Sequence, residues 1–255
     1  MLPRPSGIVT LLTDFGLRDP FVGIVKGAAL RAAPKLELVD ITHDVPPQDV
    51  GTAAFFAWTL LGRFPAGTVH VVVVDPGVGT PRRLLAVAAH ECYWLAPDNG
   101  VLTPVLGAAS TIDVRSLDLE HLGVVPESRT FHGRDVLAPV AAWLASGKFG
   151  FSALGPRVPD PQLGADPFAG SARVVHVDRY GNLVTNVRAT AVPAQAALRV
   201  GGRVVPRAGT YGDVRAGELL AYAGSHGLLE VAVADGDAAR ELKLGCGAPV
   251  EVVSP

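Results

Sequence analysis

A chain of 255 residues with 49% hydrophobic residues, 18% charged residues and a net charge of -2 can build a sizeable core and more than one domain. The near-neutral balance argues against a nucleic-acid groove, which would show as a basic excess. Only Cys92 and Cys246 are present, outside any C-x-x-C pair, which argues against a thiolate metal or redox centre.

The chain opens on "MLPRPSGIVTLL", whose apolar run is too short for a cleavable leader. No segment approaches the roughly 18 uninterrupted apolar residues of a membrane span. Free thiols and no leader suggest a cytoplasmic protein with no membrane partner. "GIVTLLTDFG" (7–16) reads as a buried strand ending in a polar turn, and "DPFVGIVKGAALRAAP" (19–34) as a helix stopped by proline. "KLELVDIT" (35–42) is a strand and "GTAAFFAWTLLGRF" (51–64) a well-buried helix. "TVHVVVVD" (68–75) has the β-branched character of a central parallel strand. Two short strands, "LLAVAA" (84–89) and "YWLAPDNG" (93–100), follow, and "GRDVLAPVAAWLASG" (133–147) is a helix ending at glycine.

Alternating strands and helices predict an α/β layered domain with a mostly parallel sheet over residues 1–160. A proline- and glycine-dense stretch then suggests a linker over 161–170. Beyond it, short β-like runs at 172–178, 182–187, 197–205, 218–224, 228–233 and 248–253, with a Gly201-Gly202 hairpin signal, predict a small all-β barrel domain over 171–255.

Polar residues follow each early strand, at the carboxyl edge where open α/β sheets bind ligands. They are Thr13-Asp14-Phe15-Gly16, Thr42-His43-Asp44, Asp75-Pro76-Gly77 and Asp98-Asn99-Gly100. A fifth set, "TFHGRD", carries Thr130, Phe131, His132, Gly133, Arg134 and Asp135 before a helix. Any one of them could be a cap or turn former; five sets on one edge suggest a site. In the second half, "VDRYGNLVTN" gathers Asp178, Tyr180, Asn182 and Asn186, and "YAGSHGLLEVAV" places Ser225 and His226 between glycines where backbone could approach a ligand.

Taken in order, "LLTDFG", "VDPGVGTPRR", "APDNG", "TFHGRD", "DRYGNLVTN" and "GSHGLLEVAV" resemble the S-adenosyl-L-methionine (SAM) hydroxide adenosyltransferases. These are SAM hydrolases that form adenosine and methionine, related to the bacterial fluorinase and chlorinase. The resemblance implies a homotrimer whose active sites lie between one subunit's first domain and a neighbour's second. It implies a catalytic Asp75, Arg82 and His132, and a ribose-binding Asp14. Methionine and adenine contacts fall to Asp178, Tyr180, Asn182 and Ser225, with Phe15, Gly77, Asp98, Asn99, Phe131 and Gly133 completing the substrate-binding set. The halogenases carry Tyr-Pro-Ala-Thr-Gly-Thr where this chain has residues 75–80, lack a histidine at position 132, and the fluorinase has a serine at Gly133. On these counts the chain is similar to the hydrolase branch. His226 stands where the fluorinase has its methionine-carboxylate arginine.

The implied chemistry is displacement at C5′ by oxygen. The leaving group is a neutral thioether, so the difficulty lies in the nucleophile, because free water has a pKa of about 15.7. A fixed guanidinium and an imidazole could hold water or hydroxide in line with the C5′–S bond, with no metal or other cofactor. Whether Asp75 or His132 takes a proton, or hydroxide binds ready formed, stays open in sequence, as does access for halide. Two other readings stand beside this one. One is a metal-dependent phosphoesterase using Asp14, His43, Asp44, Asp75, Asp98 and His132. The other is a SAM- or adenosine-binding protein without turnover.

Overall fold

The strand core begins with β1 (Ile8–Thr13), which pairs in parallel with β2 (Glu37–Thr42) on one side and β3 (Val69–Val73) on the other. β3 pairs in parallel with β5 (Cys92–Pro97). β4 (Leu84–Ala89) runs antiparallel to both β5 and β6 (Asp113–Ser116), giving the order β2-β1-β3-β5-β4-β6. The apolar run 71–74, which begins in β3, is explained by burial on both faces: Val69, Val71 and Val73 enter one core, Val72 and Val74 the other.

Helices cover both faces. α1 (Phe21–Ala32) buries Val22, Val25, Ala28 and Ala29 at helical spacing and gives way before Pro34. α2 (Val50–Thr59) starts at Asp49, whose carboxylate accepts the Thr52 N–H. α3 (Thr103–Gly107) packs beside α2, and α4 (Ala138–Ala145) beside α1. The helix expected at 133–147 is two pieces, a π-helical turn at Gly133–Leu137 running into α4. The sequence reading omits α3 and β6, elements of only five and four residues.

The structure, a computed structural model, describes residues 2–253; it divides into two compact units with the break between Asp166 and Pro167. Residues 160–164, despite their proline and glycine content, are tied to the first unit. Arg83 binds Asp160, the Gln162 N–H donates to Asp98, and the Gly164 N–H donates to Thr103. Gly100, at φ +87°, lies so close to Gly164 that a Cβ there would meet its backbone nitrogen at 2.4 Å.

The second unit holds β7 (Val174–Val177), β8 (Leu183–Arg188), β9 (Ala197–Val200), β10 (Arg203–Val205), β11 (Leu219–Ala223), β12 (Leu228–Val233) and β13 (Val250–Val253). They form two antiparallel sheets, β11-β12-β8-β7 and β10-β9-β13. Bridges Arg173↔Pro249 and Arg207↔Ala221 join these sheets at both edges, so the ring of strands closes as in a barrel. Gly201 and Gly202, both at positive φ, make the β9–β10 turn. The short helix α5 (Ala238–Leu242), capped by Asp237, has no counterpart in the sequence reading.

Candidate active site

Because β4 is reversed, Leu84 stands opposite Pro97, and the segment just before it lies at the edge where β1, β3 and β5 finish. That places Arg82 against Asp75, which follows β3. The Arg82 Nε donates to both Asp75 carboxylate oxygens at 2.8 Å, and Nη2 binds Oδ2 as well. The two side chains are only 8% and 7% exposed. Gly77 sits inside this turn, where a Cβ would lie 3.4 Å from Arg82 Cδ and 3.7 Å from Asp75 Oδ1.

His132, at the start of the π-helical turn, joins the pair through Nδ1, 3.2 Å from Arg82 Nη2. A guanidinium only donates, so Nδ1 accepts and the ring proton sits on Nε2. Burial holds the imidazole below its ordinary pKa of 6.5, Arg82's charge adds to that, and Asp75 and Asp135 oppose it. Arg82 Nη1 is buried and has no hydrogen-bond partner among the described residues. Asp75, Arg82 and His132 thus form one cluster, as the sequence reading expects, and the cluster retains a donor for something else.

Beside it lies a cavity of about 70 Å³ lined by Asp14, Phe15, Val73, Asp75, Val78, Thr130, Phe131, His132 and Gly133. Gly133 packs tightly: a Cβ would lie 3.2 Å from Val73 and 3.5 Å from Phe15. Phe15 and Phe131 meet edge to face at 5.8 Å, and Phe21 packs on both. Thr130, first of the TFHGRD set, lines the cavity with it; Val78 and Phe21 carry no site signal in sequence, where nothing distinguishes them from ordinary turn and helix residues. One Asp14 oxygen accepts the Gln48 N–H at 2.8 Å.

The other strand-end residues serve the fold. Asp98 is buried and accepts from Arg83 Nε at 2.6 Å and from the Gln162 N–H. Asn99 donates to the Val74 carbonyl and accepts the Val101 N–H, joining the ends of β3 and β5. Neither lines the cavity. His43 is buried between Thr13 Oγ1 at 2.8 Å and Asp40 Oδ1 at 3.0 Å. The Asp44 N–H donates to Thr42 Oγ1 in the turn after β2. Of the six carboxylates and histidines considered as metal ligands, His43, Asp44 and Asp98 are outside the lining that Asp14, Asp75 and His132 share. Among the described residues no group of three or more His, Cys, Asp or Glu is placed to hold a metal ion.

The second unit has its own cavity, about 580 Å³, lined by Tyr180, Asn182, Tyr211, Val233, Asp235 and Gly236. Asp178 shapes its approach: one carboxylate oxygen accepts the Tyr180 and Asn182 N–H groups, the other the Asn182 side-chain amide. This leaves Tyr180 76% exposed and Asn182 buried. Ser225 is exposed in the β11–β12 turn and is outside that lining. The space beside Gly224 is filled from within the protein, because a Cβ there would meet Glu230 Oε1 at 1.8 Å. Tyr211 lacks a sequence signal of its own; it stands in a short helical turn that Thr210 and Asp213 cap reciprocally.

Comparison with known proteins gives a match for each of the two units. Residues 9–155 match the SAM hydroxide adenosyltransferase N-terminal domain and residues 172–251 its C-terminal domain. An (R)-S-adenosyl-L-methionine hydrolase of Thermus thermophilus is 41% identical, over 96% of this chain and 99% of its own. A protein of the same name from Salinispora tropica is 38% identical, over 92% and 93%. A crystal structure of an uncharacterized conserved protein from Thermotoga maritima superposes with a TM-score of 0.89 at 35% identity, covering 96% of this chain and 100% of that one. Both domain matches, the relatives and the shared fold agree: this chain belongs to the SAM hydroxide adenosyltransferase family.

Proposed function

We propose that this protein hydrolyses S-adenosyl-L-methionine to adenosine and L-methionine, by displacement at C5′ with an oxygen nucleophile held at Arg82 and His132. The observation that carries the reading is the buried, unpartnered Arg82 Nη1 in a cluster with His132 beside a small cavity. The names of the relatives supply the substrate.

In this reading the residues divide the work. Asp75 fixes Arg82 and balances its charge, so it positions rather than reacts. Arg82 Nη1 donates toward the nucleophile. His132, neutral and accepting from Arg82 at Nδ1, presents its Nε2 proton as a second donor. Two donors, with Asp75 already committed to Arg82, suit an oxygen that is already hydroxide, stabilised where its charge is greatest. The hydroxide forms the new C5′–O bond as the C5′–S bond breaks, and the sulfonium's positive charge is discharged on methionine's neutral thioether. No proton need reach the leaving group, and no step calls on a metal or other cofactor.

Asp14 offers a carboxylate to the ribose diol, and Phe15, Phe131 and Gly133 give the sugar a close apolar wall. Gly77 keeps the Asp75–Arg82 turn free of side chains. Tyr180, Asn182 and Tyr211 suit a nucleobase, with π faces and an amide beside a larger cavity. Asp178 orders that loop, and Ser225 is assigned to the methionine end. Asp98 and Asn99 support these loops. We further propose a homotrimer in which one subunit's first unit and a neighbour's second unit share each site, working in the cytoplasm. Exposed Phe21, packed on Phe15 and Phe131, and the exposed Leu17 and Ile24 near it in sequence suit such a contact.

Mass-spectrometric analysis of products after incubating purified protein with SAM tests the reading. Equimolar adenosine and methionine are expected; intact SAM, or cleavage at any other bond, would overturn it. Light-scattering mass measurement tests the trimer separately.

A further inference from the structure

A buried carboxyl lies behind the cavity of the second unit. Tyr222 on β11 and Glu230 on β12 stand directly opposite each other across the antiparallel pair. Tyr222 donates its hydroxyl to Glu230 Oε2 at 2.6 Å, and the Tyr211 hydroxyl lies 2.9 Å from that of Tyr222. Glu230 is only 7% exposed and takes part in no ion pair among the described residues. Its seat exists because position 224 is glycine, as any Cβ there would strike the carboxyl. Burying a carboxyl is costly, and this one is not used for a salt bridge. The chain of hydrogen bonds leads outward to a single ring, Tyr211, which lines the cavity.

We propose that Glu230 is a positioning residue that, through Tyr222, holds the Tyr211 ring as a fixed wall of the substrate's nucleobase pocket. The directions follow from chemistry: Glu230 accepts from Tyr222, whose proton is thereby committed, so the Tyr222 oxygen accepts from Tyr211. The ring is then anchored at its hydroxyl end by this chain and at its backbone by the capped turn at Tyr211–Asp213. Pre-ordering a wall saves the entropy of fixing it when ligand arrives, so the benefit falls on binding. This inference rests on the proposal that the cavity receives the nucleobase.

The test is steady-state kinetics of the full-length protein with SAM. Tyr211→Ala is expected to raise KM about 10- to 100-fold, the scale of one lost base–aromatic stack. Tyr222→Phe and Glu230→Ala should each raise KM about fivefold at unchanged kcat, as for one hydrogen bond. Glu230→Gln should recover most of the wild-type KM because its amide oxygen still accepts. In a Tyr211→Ala background, Glu230→Ala should add nothing. If Tyr211→Ala leaves KM unchanged, the nucleobase reading of the cavity fails. If Tyr211→Ala raises KM but Tyr222→Phe does not, or Glu230→Ala acts equally in both backgrounds, the positioning role fails while the cavity reading stands. Should Glu230→Ala not fold, Tyr222→Phe, which removes one oxygen, decides the matter.

Discussion

The two units each bury a carboxyl beside a cavity, and they satisfy it in opposite ways. Asp75 is locked to a guanidinium that binds both its oxygens, whereas Glu230 is met by a phenol and, among the described residues, pairs with no cation. Burial pushes Glu230 above the usual carboxyl range, with Asp178's charge adding to it and the Tyr222 bond working against it. An ion pair with one guanidinium nitrogen left over suits a site that must steady a small anion. A neutral chain of hydroxyls suits a surface that must stay still against an uncharged ring. In the proposed function the reaction falls to the first unit and the nucleobase contact to the second.

Breaking the ion pair should have the largest effect. Arg82→Ala is expected to lower kcat on the order of 10²–10³-fold, the scale of one lost preorganised donor. It should also lower the melting temperature, since a buried carboxylate left alone costs about 3–5 kcal/mol. Arg82→Lys should rescue little, because an ammonium cannot bind both Asp75 oxygens and still face His132. Wild-type turnover in either variant would remove Arg82 from the reaction. Asp75→Asn should cost less, about 10²-fold, since it leaves the guanidinium in place but loosely aimed. A loss exceeding that of Arg82→Ala would make Asp75 a reacting group instead.

On the second unit's side of the comparison, losses should appear in KM. Asp14 sits with the first unit but is proposed to hold the ribose, so Asp14→Ala should raise KM for SAM about 10-fold or more with a smaller change in kcat. The reverse split would contradict a ribose contact. The pH profile sharpens the contrast further. With its pKa held below 6.5, His132 is neutral at pH 7; as pH falls through that value the proton adds at Nδ1, the atom facing Arg82, and two cations meet. The acid limb of kcat/KM should therefore fall below pH 6.5, and a limb at or above it would place His132 outside the cluster's function. The smallest expected effect is that of a chelator, which should leave the rate unchanged.

Much of the fold is legible in residue order because burial on two faces writes itself as apolar runs, as in β3, and because polar groups at strand ends announce the binding edge. What pairs with what is less so. Arg82 meets Asp75 only because β4 is reversed, and the six residues 84–89 look the same in either direction. Asp98, His43 and Gly224 resemble site residues in sequence, yet the first two bond within the fold and the third makes room for Glu230. The Tyr222–Glu230 pair depends on strand register, and Tyr211 on a turn twelve residues before that strand's end; neither leaves a local pattern to find.

In the proposed reaction an oxygen from water, held by Arg82 and His132, becomes the 5′-oxygen of adenosine. Turnover of SAM in oxygen-18 water in the presence of chelator, read by mass spectrometry, tests it most directly. One heavy oxygen in adenosine and none in methionine are expected. Unlabelled adenosine, or label found in methionine, would contradict it.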